Sequence, residues 1–242
     1  MNSSSPLASD TAMVMAAGLG KRMRPLSDEL PKPLVRVAGK PLIDYSLDAL
    51  GAAGVVRAVV NLHYLADQLE RHLAARQGPP EVTISDERAL LLETGGGMVK
   101  ALPLLPDPFF CLNSDNIWTD GSQSVFHALS RAWRPQEMDA LLLVVAHERA
   151  GNYLGMGDFH LDSAGRISRR SDDAPAPFIY TGIQIVSHRL LRDAPEGPFS
   201  TNLLWRRAIG EARLFGLEHQ GDWFEVGDPA AIAPTEARLA RG

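Results

Sequence analysis

Cysteine is almost absent: Cys111 is the single one in 242 residues. No disulfide can close within the chain, and no thiolate-based zinc site can form. An excess of positive charge is also missing. Lys and Arg number 24 against 29 Asp and Glu, a formal charge of −5, whereas a general nucleic-acid binder needs a basic footprint. The longest apolar runs, at Ala12–Gly20 and Ala140–Ala146, fall far short of the roughly 20 residues that span a bilayer. The opening MNSSSPLASDTA has neither a basic stretch nor a sustained apolar one, so it does not read as a secretory signal. Residues 1–11 read instead as a disordered lead-in, and a cytoplasmic protein is the expectation. The seven histidines include no i,i+4 pair within a Glu-bearing zinc motif. There is no internal repeat and no low-complexity tract.

What is present is the composition of a soluble globular domain, 45% apolar and 22% charged. At this length residues 12–242 are expected to form one domain with a self-sufficient core. Short apolar runs alternate with helix-like stretches. Ala12–Ala17 reads as a buried strand that breaks at Gly18. Pro41–Gly51 starts on Pro, places Leu42, Tyr45, Leu47 and Leu50 at helical spacing, and stops on Gly. Val55–Leu62 is a β-branched strand. Leu65–Arg76 repeats Leu65, Leu69 and Leu73 every fourth residue, as an amphipathic helix does. Val82–Ser85 and Pro108–Leu112 are further strands, with a short helix over Gly95–Leu102 between them. This alternation predicts an α/β fold: a Rossmann-like, mostly parallel sheet with helices on both faces. Ligands of such sheets sit beyond the carboxyl ends of the strands.

The second half differs. Ala140–His147 is another buried strand, but Gly157–Leu161, Arg166–Arg170 and Phe178–Val186 are shorter runs that suggest hairpins or a mixed sheet edge. Thr201–Ile209 and Ala230–Leu239 read as helices. A nucleotide-binding part over 12–118 and an integrated acceptor-binding lobe over 119–242 are the simplest division.

The densest motif is Ala16-Ala17-Gly18-Leu19-Gly20-Lys21-Arg22-Met23-Arg24-Pro25. Small residues after a buried strand let the backbone approach a ligand, and its N–H groups can cradle phosphate oxygens. It is neither a Walker A loop nor a G-x-G-x-x-G fingerprint, which disfavours a nicotinamide dehydrogenase. Downstream, Pro31-Lys32-Pro33 presents one lysine between two prolines, whose fixed backbone suits a point charge for phosphate.

These residues resemble the signature of the sugar-1-phosphate nucleotidyltransferases. The resemblance continues through Leu92-Glu93-Thr94-Gly95-Gly96-Gly97, Asn113-Ser114-Asp115, Tyr180-Thr181-Gly182-Ile183 and Trp223-Phe224-Glu225-Val226-Gly227. It implies condensation of a nucleoside triphosphate with a sugar 1-phosphate, releasing pyrophosphate. Family members that use UTP and N-acetylmuramate 1-phosphate, in bacterial cell-wall recycling, share the short length, Gly157-Asp158-Phe159 and Asp172-Asp173-Ala174-Pro175. Mannose 1-phosphate with GTP is the alternative pair. A catalytically silent nucleotide-sugar binder is the alternative outside enzymes. Partners are thus a nucleoside triphosphate and a sugar phosphate, with no nucleic acid and no membrane, in a monomer or small homo-oligomer.

In this chemistry a phosphate oxygen attacks the α-phosphorus in line, so positioning and charge neutralisation carry the catalysis. Magnesium suits it, being a hard cation that takes carboxylates, phosphate oxygens and water. The resemblance implies Asp115 and Glu225 as metal ligands, with Arg22, Lys32 and Asp115 catalytic. It places Ala16, Ala17, Gly18, Gly20, Gly95 and Gly96 at the nucleotide and Asn113 and Asp158 at the sugar phosphate. By their own positions Asn61, at a strand end, is a candidate for the nucleotide, and Gly182, where the chain allows close approach, and Asn202, at a helix start, are candidates for the sugar phosphate. Three departures stand out. Ser114 replaces the usual Gly, Glu225 the usual Asp, and Asp173-Ala174-Pro175 a Glu-Lys-Pro whose lysine meets both phosphates. Arg169, Arg170 or a second metal ion is a candidate replacement for that charge, and Asp173 a further candidate ligand.

Overall fold

The computed structural model describes residues 6–171 and 173–241. Its centre is a mixed sheet. Strand β1 (Thr11–Met15) pairs in parallel with β2 (Arg57–Leu62) on one side and with β4 (Phe109–Asn113) on the other. Beyond β2 lies β3 (Glu81–Asp86), again parallel. Beyond β4 lies β9 (Phe178–Val186), antiparallel to it and to β6 (Ala140–Ala146), which pairs in parallel with β10 (Leu214–Glu218). The short hairpin of β7 (Phe159–Leu161) and β8 (Ile167–Arg169) extends the early half of β9. The chain therefore leaves β1 in one direction and returns on its other side at β4. That reversal opens a crevice beyond the carboxyl ends of β1 and β4.

Period-two alternation sorts the strand side chains between two cores. Ala12, Val14, Val60, Phe110 and Leu112 face one side, where α1 (Leu42–Ala53), α2 (Ala66–Ala75) and α4 (Val125–Ala132) supply Leu47, Leu50, Leu69, Leu73 and Phe126. Met13, Val59, Cys111 and Leu142 face the other, against Met98 and Ala101 of α3 (Glu93–Ala101) and Leu204, Trp205 and Ala208 of α5 (Asn202–Gly210). Helices thus cover both faces, as the near-continuous apolar strands require. A third, smaller core gathers Met23, Val35, Leu42, Ile117, Phe224 and Val226. It fastens the segment after the glycine loop to a small sheet in which β11 (Trp223–Glu225) runs antiparallel to β5 (Asn116–Trp118).

Three expectations are corrected. Residues 1–5 of the lead-in lie outside the described residues, but Leu7 and Ala8 pack on the first core, Ala8 N–H donates to Ser130 Oγ at 2.9 Å, and Thr11 already belongs to β1. The chain there buries apolar surface instead of staying free. Helix α1 runs through Gly51 and is capped by Gly54, whose φ of 95° is the left-handed cap conformation. Gly51 serves close packing, since a Cβ there would sit 2.5 Å from the Pro79 carbonyl oxygen. Finally, α4, β5 and β10 join the fold without having been anticipated. In β10 Gly216 interrupts the apolar pattern to admit Leu161, whose Cδ2 lies 2.6 Å from where a Cβ would be.

Candidate active site

The crevice at the β1–β4 switch is a cleft of about 510 Å³, lined among others by Ala17, Gly18, Arg22, Lys32, Thr94, Asn113 and Asp115. The glycine loop forms its floor. A Cβ added to Gly18 would meet nothing within 4 Å, so the loop presents bare backbone to open space. Gly20 has φ +62, and its carbonyl oxygen accepts from Ser27 Oγ at 2.8 Å and from Met23 N–H at 2.8 Å. A Cβ on Gly20 would lie 3.1 Å from Lys32 Cβ, so the glycine also seats the lysine turn against the loop. Met23 is fully buried in the third core. With Met23 anchored inward, Arg22 projects outward over the cleft.

Lys32 sits in a short 3-10 turn (Lys32–Leu34) whose Pro33 and Leu34 are buried. Its Nζ donates to Asp115 Oδ2 at 2.5 Å, the two side chains being 13% and 25% exposed. Arg22 Nη2 donates to Glu225 Oε1 at 2.9 Å. The hydrogen bond to Glu225 holds the Arg22 guanidinium above its ordinary pKa. The charges of Glu225, Asp115 and Asp228 reinforce it against the cost of burial. Asp115 and Glu225 are brought together by the small sheet. Glu225 pairs with Asn116, the residue after Asp115, and Val226 N–H donates to the Asp115 carbonyl at 3.1 Å. Gly227 makes room for the longer glutamate, since a Cβ there would sit 3.0 Å from Arg22 Nη1 and 3.1 Å from Glu225 Oε1. Ser114 is buried, and its N–H donates to the Met15 carbonyl, so the Gly-to-Ser departure is absorbed in the wall.

The two carboxylates are hard oxygen donors, and no group of three or more His, Cys, Asp or Glu side chains is assembled among the described residues. That set suits Mg²⁺, which takes one or two carboxylates and completes its shell with substrate phosphates and water. It does not suit a structural zinc.

The nucleotide residues divide. Ala16, Ala17, Gly18 and Gly20 line the cleft. Asn61 also lines it, but its side chain is a strut: Oδ1 accepts from Ala16 N–H at 2.7 Å and Nδ2 donates to Glu87 Oε1 at 2.8 Å. Glu87 is fully buried and accepts a second bond from Leu92 N–H. Gly95 and Gly96 do not offer backbone to a base. Both N–H groups donate to the Phe199 carbonyl, at 2.8 and 3.2 Å. Their missing side chains let the 197–199 segment pack on α3, the Phe199 ring lying 2.3 Å from a Gly95 Cβ position. The cleft wall is made instead by Leu91, Glu93 and Thr94.

Of the residues expected at the sugar phosphate, Asn113 stands at the end of β4 opposite Met15. Gly182, at φ +83 in an irregularity of β9, leaves the space that Asn113 and Asn116 fill; a Cβ would sit 2.1 Å from Asn116 Nδ2. Asp158 Oδ2 accepts from Tyr180 N–H at 2.9 Å. Tyr153 lies in the field of Asp158 and Glu225; burial first, then Asp158, pushes its phenol above the ordinary value. Asn202 is exposed and accepts from Arg169 Nη2 at 2.6 Å. Arg170 donates through Nη1 to the Ser171 carbonyl at 3.0 Å. Glu87, Asn116, Tyr153 and Asp228 escaped the sequence reading, because their roles come from partners far away in the chain, such as Asn61 for Glu87 and Gly182 for Asn116.

Residues 11–169 match the Nucleotidyl transferase family. The chain is 45% identical to the N-acetylmuramate alpha-1-phosphate uridylyltransferase of Caulobacter vibrioides, over 95% of this chain and 96% of that protein. It is 31% identical to the mannose-1-phosphate guanylyltransferase catalytic subunit beta of Danio rerio, over 90% of this chain but 61% of that protein. Among solved structures, HddC from Yersinia pseudotuberculosis superposes with a TM-score of 0.76 at 21% identity, covering 95% of this chain and 99% of that one.

Proposed function

Since the chain belongs to the Nucleotidyl transferase family, we propose that it is a sugar-1-phosphate uridylyltransferase that joins UTP to N-acetylmuramate 1-phosphate. The reading rests on one observation above others: two cation–carboxylate pairs, Lys32–Asp115 and Arg22–Glu225, meet at the mouth of a glycine-floored cleft. The 45% identity over nearly the full length of both chains favours the uridylyl reaction with the muramic acceptor. The guanylyltransferase relative is less similar and longer.

The reaction brings together a triphosphate and a phosphate monoester. An oxygen of the sugar 1-phosphate forms a bond to the α-phosphorus, the bond from that phosphorus to the β-phosphate oxygen breaks, and pyrophosphate carries the electron pair away. The dianion is already a nucleophile, so no strong general base is needed. Gly18 and its neighbours cradle phosphate oxygens with backbone N–H groups. Lys32 and Arg22 neutralise charge, and their carboxylate partners hold them in place before substrate arrives, which lowers reorganisation during reaction. Asp115 and Glu225 would hold Mg²⁺. When bound, the ion supplies further charge neutralisation at phosphate oxygens. Asn113 and Gly182 shape the sugar side, and residues 119–242 supply most of that wall. Release of pyrophosphate from UTP with N-acetylmuramate 1-phosphate and Mg²⁺, against a panel of other triphosphates and sugar phosphates, tests the reading. GTP with mannose 1-phosphate as the preferred pair would overturn it.

A further inference from the structure

N-Acetylmuramate carries a feature that other hexosamine 1-phosphates lack, a lactyl ether ending in a carboxylate. Given the acceptor proposed above, a third anionic group must be met besides the two phosphates. Two of the cations lining the cleft are already engaged, Arg22 with Glu225, Asp115 and Asp228, and Lys32 with Asp115, while Lys21 is exposed on the glycine loop.

A second cationic group is tied to the start of α5, whose approach at Ser200 lines the cleft. Arg169 ends β8, and its guanidinium lies over the Phe159 ring at 5.5 Å from the centroid. Its Nη2 is held by Asn202 Oδ1 at 2.6 Å. Asn202 opens α5, two residues beyond Ser200, which lines the cleft. Arg206 follows Asn202 by four residues, so it occupies the same face of α5 one turn on. That turn is rigid. Trp205 is buried, donates to Gln184 Oε1 at 3.2 Å, and meets the Tyr180 ring edge-on at 4.8 Å. Arg206 is exposed and has neither hydrogen bond nor ion pair among the described residues. Burial and then the neighbouring Arg206 charge lower the Arg169 pKa, with Asp158 acting the other way. No partner of this group is shared with Arg22. Two like charges side by side repel, and an anion between them relieves that repulsion. A guanidinium fork also matches a carboxylate geometrically.

We propose that Arg206, together with the Asn202-steadied Arg169, forms a subsite for the lactyl carboxylate and so selects N-acetylmuramate 1-phosphate over N-acetylglucosamine 1-phosphate. The inference rests on the proposed acceptor, and the test separates the two. Initial rates of pyrophosphate release from UTP are measured with both acceptors for the unmodified protein, Arg206→Ala, Arg206→Lys and Arg206→Glu. Arg206→Ala is expected to raise KM for N-acetylmuramate 1-phosphate about tenfold, the order expected for one charge-assisted contact. Its kcat should stay within about twofold, as should both constants for N-acetylglucosamine 1-phosphate. Arg206→Lys should recover part of the preference and Arg206→Glu should lose more than the alanine. An equal loss with both acceptors would overturn the subsite, because it would place Arg206 on the shared 1-phosphate or in the fold. No change with either acceptor would overturn it as well. Should the unmodified protein favour N-acetylglucosamine 1-phosphate, the acceptor assignment itself fails and the subsite with it.

Discussion

Replacing Asp115 by Asn separates folding from chemistry at this site. The substitution keeps the side-chain shape and one acceptor oxygen but removes the charge that faces Lys32 Nζ at 2.5 Å. Lys32 is 13% exposed and Asp115 25% exposed, so the pair is neither a free surface bridge nor a fully buried one. Surface pairs contribute up to about 1 kcal/mol and broken buried pairs cost about 3 kcal/mol or more, which brackets the loss here at roughly 1–2 kcal/mol. For a chain of this size that is a fall in Tm of about 2–8 °C. Catalysis should suffer far more. One preorganised electrostatic group is worth roughly 100- to 1000-fold in rate, and Asp115 both fixes Lys32 and offers a metal ligand. A loss of kcat/KM of at least about 1000-fold, near 4 kcal/mol, is therefore expected. Pyrophosphate release gives the rate and thermal unfolding gives Tm on the same preparation. The reasoning is refuted if Asp115→Asn retains activity within about tenfold, or if its activity loss is matched by wholesale unfolding. Lys32→Ala combined with Asp115→Asn should also be clearly non-additive, because the two side chains act as one unit.

Other positions give independent checks. Glu87→Ala should destabilise the fold by roughly 2–4 kcal/mol, since Asn61 Nδ2 and Leu92 N–H both lose a buried acceptor; denaturant unfolding reads this, and a change under about 0.5 kcal/mol would contradict it. Gly182→Ala should cost about 2 kcal/mol or more, because φ is +83 and the new Cβ falls 2.1 Å from Asn116 Nδ2; its KM for the sugar phosphate should rise more than its KM for UTP. Burial pushes the Cys111 thiol up to about 12. Native protein should therefore resist iodoacetamide at pH 8 until it unfolds. The sign of the linkage follows. The unfolded thiol ionises first, near pH 9, so this contribution is complete below that pH and is lost as pH rises towards 12, by up to about 1.4 kcal/mol per unit. Cys111→Ala should flatten that alkaline slope.

Most of the main sheet, though not β10, was legible because its strands are short apolar runs separated by glycine loops and helical leucine spacing. The principal charged groups were legible because motif residues lie next to one another in sequence: Gly18, Gly20 and Arg22 in one loop, Lys32 between prolines. What the sequence hid depends on contacts between distant segments. Gly95 and Gly96 look like a ligand-facing loop, yet their N–H groups serve Phe199, more than a hundred positions away in the chain. Asn61 looks like a strand-end ligand, yet it is a strut between Ala16 and a buried Glu87. Gly51 looks like a helix stop, yet the helix passes through it to reach the cap at Gly54, and only the approach of Pro79 explains it. The pairing of β5 with β11 was hidden as well, because it joins segments about a hundred positions apart in the chain.

The most direct measurement is pyrophosphate and nucleotide-sugar formation from UTP and N-acetylmuramate 1-phosphate across a Mg²⁺ titration, for the unmodified protein and Glu225→Gln. The cleft chemistry predicts equal amounts of both products, rising from near zero in chelator to saturation, with the variant needing much more Mg²⁺ to reach half its maximum. Binding of the nucleotide sugar with no turnover at any Mg²⁺ concentration, or turnover that ignores both the cation and the Glu225 carboxylate, would contradict it.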